Sequence, residues 1–156
     1  MTKEKISEYT LKITEANKTQ MVAILYEILL DYIDEAIQSY EKQAYDDFSA
    51  AVKRAVLVVR ELNMSINRES ELCRTFFSLY IFINKELTLA EVTRNIEKII
   101  RIRPMINKLK DAYTELGKRD GSVPLMPNSE KVYAGLTYGK ESLIVHINGQ
   151  NRGITV

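Results

Sequence analysis

The stretch Met21–Tyr40, with the sequence MVAILYEILLDYIDEAIQSY, decides the fold. On a helical wheel at ~100° per residue, its apolar residues occupy two adjacent faces instead of one stripe. The first face holds Met21, Leu25, Ile28, Leu29, Tyr32 and Ala36, and the second holds Tyr26, Leu30, Ile33 and Ile37. A helix this apolar is either central in a bundle or presents apolar surface to a partner. Because acids interrupt the stretch, it is not a membrane span.

The composition is that of an ordinary globular domain. The chain has 156 residues and a formal net charge of +1, which gives no overall electrostatic argument for nucleic acid or an anionic membrane. Residues 27–47 carry seven acids and one base, whereas residues 94–110 carry six bases and one acid. Two helices with complementary solvent faces explain this pattern, and a basic helix that steers a partner is the alternative. The single Cys73 excludes an intramolecular disulfide, and the N-terminus lacks a secretion-signal pattern, so we expect a cytoplasmic protein.

The chain divides into three predicted parts. Residues 1–16 contain few large apolar side chains and are predicted to be a flexible N-terminal arm, because they bury too little to order themselves. Residues 17–117 have helical periodicity throughout and form the bundle. Residues 118–156 begin with a Pro- and Gly-rich linker, and two β-prone runs around Gly139–Lys140 predict a small β-hairpin in this tail.

Four helices are predicted within the bundle segment. Asn17 with Gln20 forms a capping box that begins the first helix, which extends to about Lys42. The second helix covers about 48–66 and the third about 69–87. Because the connections are short, consecutive helices should pack antiparallel. The predicted fold is therefore all-α, an antiparallel up-down four-helix bundle with an N-terminal arm and a C-terminal β-prone tail.

The fourth helix has its own start and stop signals. Thr88 with Glu91 matches the T-x-x-E capping box and predicts the start of this helix. Pro104 removes one backbone hydrogen bond and crowds the preceding turn, which predicts a kink. Gly117 is predicted to end the helix.

No catalytic or metal-binding constellation is recognisable in the sequence. His146 is the only histidine, and no acidic residue close to it in sequence would orient it as a base. There is no glycine-rich phosphate loop, no metal-ligand spacing and no Glu-x-x-His pair of the kind that a di-iron bundle needs. The basic fourth helix has Tyr113 as its single aromatic residue and no zinc or helix-turn-helix pattern. We therefore expect a protein that is not an enzyme, uses no cofactor or metal and binds no nucleic acid.

The second and third helices carry large apolar residues outside their main stripes. Leu57 and Met64 lie off the stripe of the second helix, and Phe77 and Ile81 lie off that of the third. Because consecutive helices are neighbours, these side chains predict a shared groove that receives an amphipathic helix. Tyr26 adds similar surplus on the first helix. The alternative is a structural bundle whose surplus surface is covered by its own arm and tail or by a homodimer partner.

Several short motifs, in a fixed order, carry a family likeness. The sequence ANKTQMVAILYE at Ala16–Glu27 resembles the opening of the flagellin-specific export chaperones, the FliS family. The likeness continues at Arg54–Ala55 in the second helix, at Leu79–Tyr80 in the third and through Leu109–Leu116. Tyr9 stands where the family has a tyrosine ahead of the first bundle helix.

The resemblance implies a cytoplasmic four-helix chaperone that binds newly made flagellin. It would hold the C-terminal segment of flagellin, whose apolar face otherwise drives filament assembly, until the flagellar export apparatus takes it. In the family the arm can also cover part of the flagellin site, which makes Tyr9 the candidate for an internal plug. The expected partner-binding residues are Tyr9, Tyr26, Leu57, Met64, Phe77 and Ile81. The expected partners are flagellin and the export apparatus, without membrane insertion and with a homodimer left open.

Overall fold

The structure is a computed structural model that describes residues 2–126. All regular secondary structure in that range is helical, which confirms the all-α class for this part of the chain. The five helices are α1 (Lys3–Glu15), α2 (Lys18–Glu41), α3 (Tyr45–Met64), α4 (Cys73–Thr93) and α5 (Glu97–Arg119). The predicted tail hairpin and His146 lie outside the described residues.

Residues 3–15 form a helix, where the sequence predicted a loosely held arm. Thr2 caps α1, since its hydroxyl accepts a hydrogen bond from the Lys5 amide at 3.3 Å. Tyr9 is buried together with Ala16 and Ile24, and three half-buried apolar side chains pack against them, namely Ile13, Met21 and Ile28. The arm alone has too few apolar residues to order itself, but α2 supplies the missing surface.

α2 is the central helix of the fold. Its predicted capping box is confirmed, because the Gln20 amide donates to Asn17 Oδ1 at 2.8 Å and the Asn17 amide donates to Gln20 Oε1 at 3.0 Å. Leu29 and Ile33 are 0% exposed. α2 packs against α3 and α5 and also against α1. The two apolar faces that the sequence predicted on this helix are therefore covered within the chain, by the main core and by α1.

The boundary between the last two helices lies later than predicted. The motif Thr88–Glu91 is inside α4, and its threonine hydroxyl donates back to the Asn84 carbonyl at 2.8 Å instead of capping a new helix. α4 ends at Thr93, and its C-cap residue Arg94 has a left-handed φ of 49°. Asn95 then accepts a hydrogen bond from the Glu97 amide at 3.0 Å, where α5 begins. The T-x-x-E pattern therefore does not cap a helix, and its glutamate is bound by Ser49 and Lys53 of α3.

Gly117 does not end α5, which continues to Arg119. It is buried against the start of α2, and a Cβ at this position would lie 3.0 Å from Gln20 Cγ. Just beyond the helix, Asp120 accepts a hydrogen bond from the Asn17 side-chain amide at 2.9 Å. The glycine therefore allows the close approach of α5 to α2. Pro104 lies inside α5, and the kink predicted at this residue stays a prediction.

The core joins the four longer helices. α2 and α4 each pack against both α3 and α5. The hydroxyls of Tyr26 and Tyr80, on α2 and α4, are 2.6 Å apart in a buried hydrogen bond. The ring of Tyr113 on α5 lies 5.6 Å from that of Tyr26. Aromatic contacts and a paired hydroxyl thus connect three helices at one point.

This buried tyrosine pair predicts a loss of stability in alkali. Burial raises the pKa of Tyr26 above its ordinary 10.0, and burial also raises the pKa of Tyr80 to about 12. The unfolded chain therefore loses these protons first, so the stabilisation is complete below about pH 10 and is lost as the pH rises towards the folded-state pKa. We expect the urea midpoint to fall more between pH 9 and pH 11 for the wild type than for the Y26F/Y80F double variant. An equal fall in both proteins would contradict the assignment.

Candidate functional site

An open groove lies between α3 and α4. It has a cavity volume of about 220 Å³, and Leu57 and Ile81 line it from the two helices. Their side chains are 58% and 54% exposed although both are large and apolar. The complete lining, here named the α3–α4 groove, is Val56, Leu57, Val59, Arg60, Asn63, Tyr80, Ile81 and Asn84. The structure therefore brings together two of the residues that the sequence singled out.

Met64 and Phe77 extend this apolar surface beyond the groove lining. They are 70% and 49% exposed. Met64 follows Leu57 by two helical turns and Phe77 precedes Ile81 by one, so each shares a helix face with its groove neighbour. All four residues predicted from the off-stripe pattern are thus exposed on α3 and α4.

Tyr26 does not belong to this surface. It is 0% exposed, and its hydroxyl is used by Tyr80 in the core. The sequence predicted Tyr26 as part of the exposed apolar surplus, and the structure differs because a helical wheel does not show which neighbouring helix covers a residue. Its hydrogen-bond partner Tyr80 is one of the residues that line the groove.

Tyr9 lies on α1 and is docked on α2. Its hydroxyl donates to Asp31 Oδ2 at 2.6 Å, and it is buried with Ala16 and Ile24, neither of which lines the α3–α4 groove. Burial, together with the hydrogen bond to the Asp31 carboxylate, raises the pKa of Tyr9. The arm therefore covers a different apolar surface, which we name the α2 face and define by Met21, Ile24 and Ile28.

Charged pairs hold α1 on α2. Lys5 Nζ lies 2.6 Å from Asp31 Oδ1, and Lys12 Nζ lies 3.3 Å from Glu27 Oε2. Partly exposed ion pairs of this kind each add little stability. α1 is thus attached by one buried tyrosine and a few modest contacts, which makes it the least firmly packed helix of the fold.

The described residues were compared with the requirements of a metal site and of a membrane span. No group of three or more His, Cys, Asp or Glu side chains in residues 2–126 is placed to hold a metal ion. Cys73 is half-buried and lines a second cavity of about 250 Å³ beside Phe76 and Tyr113. Across the same range, no helix combines the length and apolarity that crossing a membrane requires.

A comparison with protein-family models matches residues 3–120 to the family described as Flagellar protein FliS. The chain belongs to the FliS family. FliS proteins are flagellar export chaperones, so this chain has that general role. The match begins at the first residue of α1 and ends at Asp120, which binds back to Asn17. The comparison with curated proteins finds no match.

Three polar residues that line the α3–α4 groove of this FliS-family chain were not predicted from the sequence. Arg60, Asn63 and Asn84 line it together with the apolar side chains. The search for surplus apolar surface could not find them, because they are polar. A positional signal was present, since Arg60 follows Leu57 by three residues and Asn84 follows Ile81 by three, which places each pair on one face.

The attachment of α1 can be tested at Asp31. D31A removes the acceptor for both Lys5 and Tyr9, so we expect α1 to separate from α2 more often. Hydrogen exchange of the α1 amides should become several-fold faster, while that of α3 and α4 stays unchanged. The matched control is D34A, which breaks the pair with Arg103 at 2.7 Å but has no contact with α1. Equal acceleration of α1 exchange in both variants would contradict the assignment.

Proposed function

We propose that this FliS-family chain binds the C-terminal segment of newly made flagellin in the α3–α4 groove. Bound there, the segment cannot polymerise prematurely and stays competent for the flagellar type III export apparatus. The observation that carries the proposal is the exposed pair Leu57 and Ile81 on two neighbouring helices, continued by Met64 and Phe77. Contiguous exposed apolar surface marks binding sites, and a groove between helices suits an amphipathic helix.

The proposal includes an antiparallel up-down four-helix bundle made of α2–α5. Hydrogen bonds at two points support it. Asn17, before α2, is bound to Asp120 after α5 at 2.9 Å. Tyr40, near the end of α2, donates to the Arg94 carbonyl before α5 at 3.0 Å. Each end of α2 therefore meets the opposite end of α5, as expected for antiparallel neighbours.

We also propose that Tyr9 is an internal plug, on the α2 face instead of the α3–α4 groove. Its support is the apolar cluster that forms where α1 lies on Met21, Ile24 and Ile28. If flagellin wraps around the chaperone, the α2 face becomes a second contact once α1 has moved. A partner that is disordered when free can wrap a large surface in this way, and its ordering cost keeps release easy.

The test uses purified protein and two forms of flagellin. Full-length monomeric flagellin should bind in calorimetry, and the complex should resist polymerisation when filament seeds are added. Flagellin that lacks its C-terminal segment should not bind detectably. Equal affinity for the two forms would show that the C-terminal segment is not the ligand, and no affinity for either would remove flagellin as the partner.

A further inference from the structure

A second cavity opens at the end of the bundle where α2 begins. It has a volume of about 250 Å³ and lies between the start of α2, the connection after α3 and the start of α4. We name it the end cavity. Its apolar lining residues Val22, Phe76 and Tyr113 are buried or half-buried, whereas its polar lining residues Lys18 and Ser70 are exposed and form its rim. Small-molecule sites have volumes of about 300–1,000 Å³, so this cavity is better suited to one or two side chains of a peptide segment.

The chain leaves the described range beside the end cavity. The Asp120 carboxylate accepts a hydrogen bond from the hydroxyl of Thr19, which lines the cavity. The Leu125 amide donates to the carbonyl of Ala16 at 3.0 Å, and Ala16 stands two residues before Lys18 on the rim. Two hydrogen bonds therefore hold the segment after α5 against the residues that begin α2, so the tail starts close to the cavity.

The tail beyond this point is an addition to the family pattern. The family match ends at residue 120, and residues 127–156 follow the described range. Their first apolar run is Val132–Tyr138, with the sequence VYAGLTY, and it begins six residues after Met126. Six extended residues span up to ~20 Å, whereas neighbouring helices pack ~10 Å apart. The run can therefore reach the end cavity without any movement of the bundle.

The alternation within this run matches an apolar cavity with a polar rim. In an extended segment, successive side chains point to opposite sides, so one side of the run is apolar and carries Val132, Ala134, Leu136 and Tyr138. Thr137 belongs to the opposite side. A tyrosine packs its ring in apolar surroundings while its hydroxyl finds a polar partner. The apolar side of the run thus suits the buried lining, and its tyrosine suits the border between lining and rim.

We propose that residues 132–138 bind in the end cavity of the same chain. Leu136 and Tyr138 then pack against Phe76 and Tyr113, and the tail closes the open end of the bundle. This inference goes beyond the proposed function, because its site is the end cavity instead of the α3–α4 groove and its occupant belongs to the chaperone itself.

Attachment at the rim favours the tail over any free molecule. A segment on a short tether acts at an effective concentration in the millimolar range. A second copy of the chain, or flagellin, has to bind at its lower concentration in solution. A contact of modest affinity therefore suffices to keep the tail in the cavity.

Cys73 reports whether the cavity is covered. It is the only cysteine of the chain, is half-buried and lines the end cavity, so alkylation by N-ethylmaleimide measures access to one known position. In the full-length protein, L136D should raise the alkylation rate several-fold, because a carboxylate is unfavourable in an apolar cavity. T137D is the matched control, since it adds the same charge to the other side of the run and should react like the wild type. Equal rates in all three proteins would overturn the inference, as would an equal increase in both variants.

A disulfide trap tests the contact directly. The full-length variants L136C and T137C each add one thiol to the chain, and a disulfide forms only when the two Cβ atoms come within about 4 Å of each other. Under a mild oxidant such as oxidised glutathione, position 136 should be linked to Cys73 several-fold faster than position 137, and mass spectrometry of the linked peptides identifies the product. Equal rates would contradict the contact, and this comparison decides the matter if L136D fails to fold.

Two further measurements distinguish the occupants. Protection of Cys73 in the wild type should be the same at low and at high protein concentration. Protection that disappears on dilution would assign the cavity to the tail of a second copy, and protection that appears only with added flagellin would assign it to that partner. Either result overturns the inference and leaves the proposed function standing.

Discussion

Replacement of Leu57 by aspartate is expected to weaken binding of the flagellin C-terminal segment by about 100-fold or more. The side chain is 58% exposed in the free protein, so the new carboxylate stays in water and the fold is undisturbed. In the complex the same carboxylate would lie under the apolar face of the bound helix. Burying an unpaired charge there is strongly unfavourable, and the loss appears only in binding.

The control for L57D is L116D. Leu116 is 54% exposed and lies on α5, outside the α3–α4 groove, so this variant adds the same charge to a comparable site without touching the proposed contact. Affinity is measured by calorimetry, and the thermal midpoint of each variant is measured beside it. I81D should reproduce the effect of L57D from the other side. Wild-type affinity in both groove variants would show that flagellin binds elsewhere.

Replacement of Tyr26 by alanine is expected to cost about 3–5 kcal/mol of folding free energy. The residue is 0% exposed, and its ring lies 5.6 Å from that of Tyr113. Truncation leaves a cavity between three helices and also deprives the Tyr80 hydroxyl of its partner at 2.6 Å. Urea unfolding measures the change, and the protein should lose flagellin binding only in proportion to the fraction unfolded.

A second variant separates packing from hydrogen bonding at the same site. Y26F keeps the ring and removes only the hydroxyl, so it should cost about 1–3 kcal/mol through the unpaired Tyr80 hydroxyl. Y113F is the control, because the Tyr113 hydroxyl has no hydrogen bond within residues 2–126, and it should change stability by less than about 0.5 kcal/mol. A cost below about 1 kcal/mol for Y26A would mean that Tyr26 is a surface residue after all.

Most of the helical core follows from periodicity. The predicted stripe of the second bundle helix ran from Phe48 to Ile66; it is buried from Phe48 to Leu62, whereas Ile66 is half-buried beyond the end of α3. The off-stripe residues Leu57 and Met64 are exposed. Such inside-or-outside assignments need only the angle of a residue on its helix. The same holds for Phe77 and Ile81 on α4, although their role in binding stays a prediction.

The features that the sequence did not predict share one physical cause. Each depends on a contact between distant parts of the chain, which a local sequence pattern does not show. α1 is ordered by the α2 face, not by its own composition. Glu91 has the spacing of a capping residue, but its carboxylate accepts a hydrogen bond from Ser49 of α3. Tyr26 and Leu57 are both surplus apolar residues on a wheel, but Tyr26 is buried against Tyr80 and Tyr113 whereas Leu57 is 58% exposed.

The bonds at the corner between α1 and α2 limit how α1 can move. The Ala16 carbonyl accepts a hydrogen bond from the Leu125 amide at 3.0 Å, and Asn17 is bound to Asp120. The segment after α5 therefore fixes this corner, and α1 can leave the α2 face only by pivoting at its last residues. α1 has 13 residues, so its far end sweeps a radius of ~20 Å. Tyr9 consequently remains at a high effective concentration beside the α2 face that it covers. Any ligand that binds the α2 face must therefore compete with α1, which stays attached to the same chain.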